Sequence, residues 1–160
     1  RVELSATMLQ QVRALAAIAR ERGMALSHLK PHGALYNTAA RDEDISRTIV
    51  DVTIQSRIPL LIGPPNSRLE MAARPAGLPY LAEGFADRAY EASGDLTPRT
   101  MEGAVIALDE DRVRQAVQIA STEYVTTRTG ETIALPSPAR APYVMRSCKP
   151  EFPSLPLNHE

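Results

Sequence analysis

Short apolar segments alternate with amphipathic ones along the first half of the chain, and this alternation limits the fold more than any other feature of the sequence. The first amphipathic segment carries apolar residues at helical spacing from Leu4 to Ala19, with Ser5 as its candidate N-cap and Gly23 as its stop. Helices are predicted between Ser5 and Gly23 and over residues 42–55 and 67–74, and buried strands over residues 24–29, 59–63 and 78–85. Such alternation is typical of parallel strands joined by helical crossovers, so the predicted fold class is α/β.

The pattern is weaker after Tyr90. Residues 105–106 form a candidate edge strand, and residues 124–135 are predicted to form a hairpin around Thr129 and Gly130. A helix is predicted for residues 109–121, with its apolar positions at Val113, Ala116, Val117 and Ala120.

The domain organisation follows from length and proline content. Residues 136–160 contain six prolines and little periodicity, which predicts a poorly ordered tail after a domain over residues 1–135. A closed barrel of strands and helices needs roughly 200 residues or more, and three strand–helix units cannot close one. We therefore expect an open α/β layer or part of a barrel.

Composition excludes several classes of partner. Eighteen Lys and Arg against nineteen Asp and Glu give a net charge of −1, without a charge run that would attract nucleic acid or a membrane surface. The apolar runs are too short to span a bilayer, and the first residues lack a signal-peptide pattern. One cysteine cannot form an internal disulfide, so we expect a cytoplasmic protein with a small-molecule or protein partner. Because Arg1 enters a helical pattern at once, we also expect a segment upstream of it.

Polar residues follow the predicted strand over residues 24–29, at the edge where α/β folds bind ligands. Lys30 could hold a carboxylate or phosphate, or stabilise an oxyanion, and His32 could transfer a proton or bind a metal; Tyr36 and Asn37 lie on the same loop. The alternative is an ordinary turn with a solvated lysine, and the residues alone leave the two interpretations even. His28 is expected to be a core histidine.

A second polar group follows the strand over residues 78–85. Asp87 could orient His32 or activate water, while Arg88, and Arg99 on a later loop, could pair with an anionic substrate. On the residues alone, a surface Asp–Arg pair and an exposed loop arginine are slightly favoured. A Gly-rich phosphate loop, a Gly-x-Ser-x-Gly elbow and a helical His pair are all absent from the sequence.

Four segments in order and spacing resemble the LamB/YcsF family: residues 29–37 (Leu-Lys-Pro-His-Gly-Ala-Leu-Tyr-Asn), 85–90, 94–99 and 103–106. The resemblance implies the A subunit of the ATP-dependent 5-oxoprolinase, a hydrolase that works with subunits B and C to open the lactam of 5-oxoproline to glutamate. The implied fold is a partial (β/α) barrel of the glycoside hydrolase/deacetylase type.

The resemblance also implies roles for the candidate residues. ATP with Mg²⁺ is the implied cofactor and would activate the amide, whereas no cofactor is evident from the sequence alone and the metal requirement of the site stays open. The implied catalytic residues are Lys30, His32 and Asp87, and the implied substrate- or phosphate-binding residues are Arg88, Arg99, Tyr36 and Asn37.

The chain departs from the family pattern at both ends. The family's early Asn-Cys-Asp, Cys-Gly-Phe-His and Gly-Ala-His-Pro segments are absent, and residues 139–160 lack its Val-His-Gly-Asp strand. We therefore expect an incomplete copy with little activity alone. A non-catalytic remnant or subunit-interaction module is one alternative, and a metal-dependent deacetylase-like hydrolase is another, suggested by fold analogy.

Overall fold

The computed structural model of the chain describes residues 2–135 and the backbone of residues 144–146. Its helices are α1 (Val2–Glu21), α2 (Gly33–Arg41), α3 (Glu43–Gln55), α4 (Arg68–Ala73) and α5 (Asp109–Thr122). Its strands are β1 (Leu61–Gly63), β2 (Tyr80–Phe85), β3 (Tyr124–Thr126), β4 (Thr132–Ala134) and β5 (Val144–Arg146). The α/β class is therefore confirmed.

A parallel sheet of order β1-β2-β5 forms the centre of the fold. Leu61 pairs with Tyr80 at the start of β1, and Glu83 pairs with Val144 at the start of β5. β3 and β4 form the predicted antiparallel hairpin. Because β2 lies between two parallel neighbours, its carboxyl end opens at the middle of the sheet.

Local capping explains where two predicted helices begin. The Asp42 side chain accepts a hydrogen bond from the Ile45 N–H at 2.9 Å, which caps α3. At α4, Ser67 accepts from the Glu70 N–H at 3.2 Å, and the Glu70 carboxylate accepts from the Asn66 N–H at 2.9 Å. This reciprocal arrangement is close to a capping box and satisfies backbone donors that have no partner within the helix.

The strand predicted for residues 24–29 is wrong. Leu29 alone pairs with Leu61, in an isolated parallel bridge, where its N–H donates to Leu60 O and its carbonyl accepts from the Ile62 N–H, both at 2.9 Å. Ser27 and His28 are exposed, so the segment has too little buried surface to continue the ladder. The edge strand predicted at residues 105–106 is likewise reduced to a bridge between Arg88 and Val105.

The loop predicted after Lys30 is shorter than expected, because α2 begins at Gly33. Gly33 has φ +59, a left-handed value that glycine adopts without strain, and a Cβ there would meet open space. The helix then buries Tyr36 and Ala39 on one face. Ser5 lies within α1 and is not its cap.

Two apolar clusters hold the elements together. The first joins the helices to β1 and is built from Met8, Leu29, Ala39, Ile49, Val50, Val52, Ile58, Leu61, Leu69, Ala73 and Leu78. The second lies between α2, β2, α5 and the hairpin and is built from Tyr36, Phe85, Tyr90, Ile119, Val125 and Leu135. The second cluster borders the carboxyl end of β2.

The tail predicted for residues 136–160 is described only where β5 forms, and its other residues lie outside the described part. Among the helices over residues 2–135, none is long and apolar enough to cross a membrane.

Gly63 at the end of β1 gives a prediction about packing. A Cβ at this position would lie 2.4 Å from Tyr80 Oη and 2.8 Å from Leu69 Cδ2. We expect Gly63→Ala to lower the free energy of unfolding by about 1–3 kcal/mol, measured by urea unfolding. Tyr80→Phe removes one clash but also the 2.8 Å hydrogen bond to Pro64 O. The double variant should therefore lose less than the sum of the single losses, and strict additivity would contradict the explanation.

Candidate functional site

A cavity of about 530 Å³ opens at the carboxyl end of the parallel sheet. Its walls come from α2, the turn after β1, the end of β2, the loop over residues 90–100 and the hairpin. The predicted residues Tyr36, Asn37, Arg88 and Arg99 all line it, although they lie up to 63 positions apart in sequence (99 − 36). The structure therefore brings together four residues from both predicted polar groups.

A buried ion pair lies behind this cavity. Lys30, directly after the Leu29 bridge, pairs through Nζ with the carboxylate of Glu83, and their side chains are only 10% and 1% exposed. Lys30 Nζ also lies 5.5 Å from the ring centroids of both Tyr36 and Phe85. The solvated-lysine alternative is therefore wrong. Glu83 itself lines the cavity.

Tyr36 places a phenol beside this pair. Its ring meets Phe85 edge-on, at a centroid distance of 6.1 Å and an interplanar angle of 88°. Burial, reinforced by the charge of Glu83, raises the pKa of the Tyr36 phenol far above its usual value. Glu83 lies near enough to this hydroxyl to act on it as a charge and as a weak hydrogen-bond acceptor, but no atom of the described residues meets the hydroxyl in full hydrogen-bond geometry. The hydroxyl is a protonated donor at neutral pH.

Arginines lie along the wall and the rim of the cavity. Arg88 is buried, and its guanidinium donates to Ala104 O at 3.1 Å and to Thr97 O at 2.6 Å, so it also joins two loops. Arg99 is exposed on the rim. Arg41 forms a 2.9 Å ion pair with Asp95 across the rim. These groups give the mouth of the cavity a cationic character suited to a carboxylate or phosphate.

His32 and Asp87 fall outside the described lining of the cavity. His32 is exposed at the N-cap of α2 and makes no capping hydrogen bond with its side chain. Asp87 is buried, at 2% exposure, in the segment after β2. His28 is exposed, with Nδ1 at 2.9 Å from Ser27 Oγ, so the expectation of a core histidine is wrong.

Glu91 ties the hairpin to the loop over residues 90–100. Its carboxylate accepts from Thr97 Oγ1 at 2.7 Å and from Arg128 Nε at 3.2 Å. These two hydrogen bonds, from Thr97 first and then Arg128, hold the pKa of Glu91 below its usual value.

Gln115 is a structural residue of the site that the sequence did not reveal. Its Nε2 donates to Phe85 O at 2.7 Å and to Arg88 O at 2.8 Å, and it lies 3.4 Å from Ala86 O. Val113 and Val117, assigned to the apolar face of α5, are instead 62% and 60% exposed. Gln115 and Ile119 occupy the buried face. The signal in the sequence was the four-residue spacing of Gln115 and Ile119, which places both side chains on the same face of a helix.

The described part of the chain offers no ready metal centre. Within residues 2–135, no three His, Cys, Asp or Glu side chains come together in a way that could hold a metal ion. Carboxylates do approach the cavity, but each identified one is paired with a cation or a hydroxyl, as Glu83 is with Lys30 and Asp95 with Arg41.

Comparison with known proteins gives one family. The model of the LamB/YcsF family matches residues 1–139. The 5-oxoprolinase A subunit of Symbiobacterium thermophilum is 46% identical over 136 residues, which cover 84% of this chain and 52% of that protein. The one from Chloroflexus aggregans is 43% identical over 134 residues, with 83% and 53% covered. The chain thus spans about half the length of the curated relatives it matches.

A solved structure is similar over most of the described fold. The lactam utilization protein from Thermus thermophilus superposes with a TM-score of 0.77 at 36% sequence identity, covering 89% of this chain and 57% of that one.

The Lys30–Glu83 pair gives a prediction about stability. Lys30→Met would leave the carboxylate of Glu83 buried without its ammonium partner, so we expect the free energy of unfolding to fall by about 3–5 kcal/mol. Arg47→Met breaks the exposed Arg47–Glu43 pair and should cost less than about 1 kcal/mol. Equal losses in the two variants, measured by urea unfolding, would show that the buried pair has no special weight.

Gln115 gives a second prediction about stability. Gln115→Leu keeps an apolar body on α5 but leaves the Phe85 and Arg88 carbonyls without its amide donor, which should cost about 1–3 kcal/mol. Gln118→Leu on the same helix is the matched control, because Gln118 bonds only with Thr126 at the surface among the described contacts. Thermal unfolding that ranks the two variants equally would contradict this role for Gln115.

Proposed function

Because the chain belongs to the LamB/YcsF family, we propose that it contributes the lactam-binding site of a 5-oxoprolinase, as the A subunit of that enzyme. The reaction would open the ring of 5-oxoproline by cleaving its amide C–N bond, with ATP cleavage, to give glutamate. The observation that carries the proposal is the cavity at the carboxyl end of the sheet, where a carboxylate, a protonated phenol and arginines surround one space.

The chemistry explains why such a cavity needs cations. 5-Oxoproline carries a carboxylate, and the exposed Arg99 on the rim suits it, since guanidinium groups bind carboxylates through paired hydrogen bonds. An amide is a poor electrophile because its nitrogen lone pair is delocalised into the carbonyl, so a cation near the carbonyl oxygen helps by stabilising the negative charge that forms there when water adds. Arg88 in the wall supports that role, although it also holds two backbone carbonyls.

The three proposed catalytic residues differ in their positions relative to the cavity. Lys30 acts through Glu83, because its ammonium is paired with that carboxylate. His32 and Asp87 stay proposed proton-transfer residues on the family resemblance alone, since the cavity lining leaves them out. Asn37, exposed on α2 at the cavity, is proposed to contact the substrate.

ATP with Mg²⁺ is part of the proposal as the source of the phosphoryl group. The described residues do not fit a nucleotide and its cation by themselves, because no group of three metal-binding side chains is found among them and the sequence has no Gly-rich phosphate loop.

The proposal extends to fold, partners and location. The three parallel strands and the likeness to the Thermus lactam utilization protein support a partial (β/α) barrel of the glycoside hydrolase/deacetylase type. The relatives are named as one subunit of 5-oxoprolinase, which supports assembly with subunits B and C of that enzyme, in the cytoplasm. Among residues 2–135, no group of three potential metal ligands supports the metal-dependent deacetylase alternative.

The test is 5-oxoproline-dependent ATP hydrolysis by the chain mixed with subunits B and C. We compare two exposed positions, because their variants should keep the fold: His32→Ala should lower kcat by about 100-fold, and Arg99→Met should raise KM for 5-oxoproline about tenfold. His28→Ala is the matched control, an exposed histidine four positions away, and should change neither constant.

The other outcomes decide between the alternatives. If no hydrolysis depends on 5-oxoproline while the Symbiobacterium relative is active in the same mixture, the chain is not catalytic. Copurification with subunits B and C would then identify it as a subunit-interaction module. An unchanged kcat in the His32→Ala variant would remove His32 from the proposed catalytic residues.

A further inference from the structure

Two groups with opposite hydrogen-bonding roles lie side by side in the cavity wall. Glu83 presents a carboxylate, which accepts hydrogen bonds, and is 1% exposed. Tyr36 is buried at 8% exposure, and its hydroxyl lies near Glu83 but has no partner in full hydrogen-bond geometry within the described residues. Burial and the charge of Glu83 keep this phenol protonated, so the hydroxyl is a donor.

Lys30 and Phe85 fix the positions of this pair. The ammonium of Lys30 binds the Glu83 carboxylate and lies 5.5 Å from the Tyr36 and Phe85 ring centroids, so one cation interacts with both the carboxylate and the ring that carries the hydroxyl. Phe85 holds the Tyr36 ring edge-on. The acceptor and the donor are therefore preorganised before any ligand arrives.

A five-membered lactam carries a donor and an acceptor along one edge, which is complementary to the acceptor and the donor of the wall. Its ring forces the planar amide into the cis form, so the N–H donor and the carbonyl acceptor point to the same side. An open-chain trans peptide presents them on opposite sides. A neighbouring acceptor and donor in a wall can thus bind both polar atoms of a lactam at once.

We propose that Glu83 accepts the hydrogen bond from the lactam N–H while the Tyr36 hydroxyl donates to the lactam carbonyl. The inference rests on the proposed function and adds to it the two residues that distinguish a lactam from other ring acids. Lys30 is then a positioning residue that acts through Glu83. With the amide edge held at the wall, the carboxylate of the substrate faces the arginines of the rim.

Three ring acids allow the two proposed hydrogen bonds, to Glu83 and to Tyr36, to be tested separately. 5-Oxoproline and 5-oxotetrahydrofuran-2-carboxylate differ in one group, the ring N–H against a ring oxygen. The latter and tetrahydrofuran-2-carboxylate differ in the ring carbonyl alone. Affinities of the full chain for each acid are measured by isothermal titration calorimetry, and the two ratios report on Glu83 and Tyr36 separately.

We expect each variant to change its own ratio. Glu83→Gln should reduce the preference for the lactam over the lactone by about tenfold, because its amide can donate to the ring oxygen. Tyr36→Phe should reduce the preference for the lactone over the carbonyl-free acid by about tenfold, because it removes the donor. Glu110→Gln and Tyr124→Phe, exposed and remote from the cavity lining, are the matched controls and should leave both ratios unchanged.

Circular dichroism checks that each variant is folded. If Glu83→Gln alone unfolds, the Lys30→Met and Glu83→Gln double variant, which leaves no unpaired ammonium, is measured in its place. Unchanged ratios in folded variants of a chain that binds 5-oxoproline overturn the proposed contacts but not the proposed function. Failure of the unaltered chain to bind 5-oxoproline overturns the proposed lactam site itself, and the contacts with it.

Discussion

The ion pair between Lys30 and Glu83 is the interaction on which the site depends. Removing two charges from water is costly, and a buried pair repays that cost only when its geometry is good. Here the pair connects the segment after the Leu29 bridge to β2, while the Lys30 ammonium contacts the rings of Tyr36 and Phe85. One cation thus sets the positions of α2, β2 and the aromatic wall relative to one another.

Strong periodicity allowed much of the fold to be predicted from the sequence. α1, α3, α4 and α5 were predicted because their apolar residues recur at helical spacing or follow a capping residue, as Asp42 does at α3. β1 and β2 were predicted because apolar runs ended in turn residues. α2 was missed because Pro31 and Gly33 usually break structure, whereas Gly33 here uses its left-handed φ to begin a helix.

The site was predictable only in part, because its contacts join distant positions. Tyr36, Asn37, Arg88 and Arg99 were selected by residue type at strand ends, and the structure gathers them in one cavity. The pairing of Glu83 could not be predicted from residue type, because its partner Lys30 lies 53 positions earlier in the chain. Gln115 was hidden for a similar reason, since its acceptors lie 27 to 30 positions away.

The place of β2 in the sheet also determines which parts of the cavity can change shape. β2 carries Glu83 and pairs with β1 over its first three residues and with β5 over its last three, while Gln115 donates to Phe85 O at its end and to Arg88 O beyond it. The rim, by contrast, is closed by exposed side chains such as Arg41 and Arg99. Exchange of the exposed rim residues would therefore alter which ligands the cavity admits while leaving the buried Lys30–Glu83 pair in place.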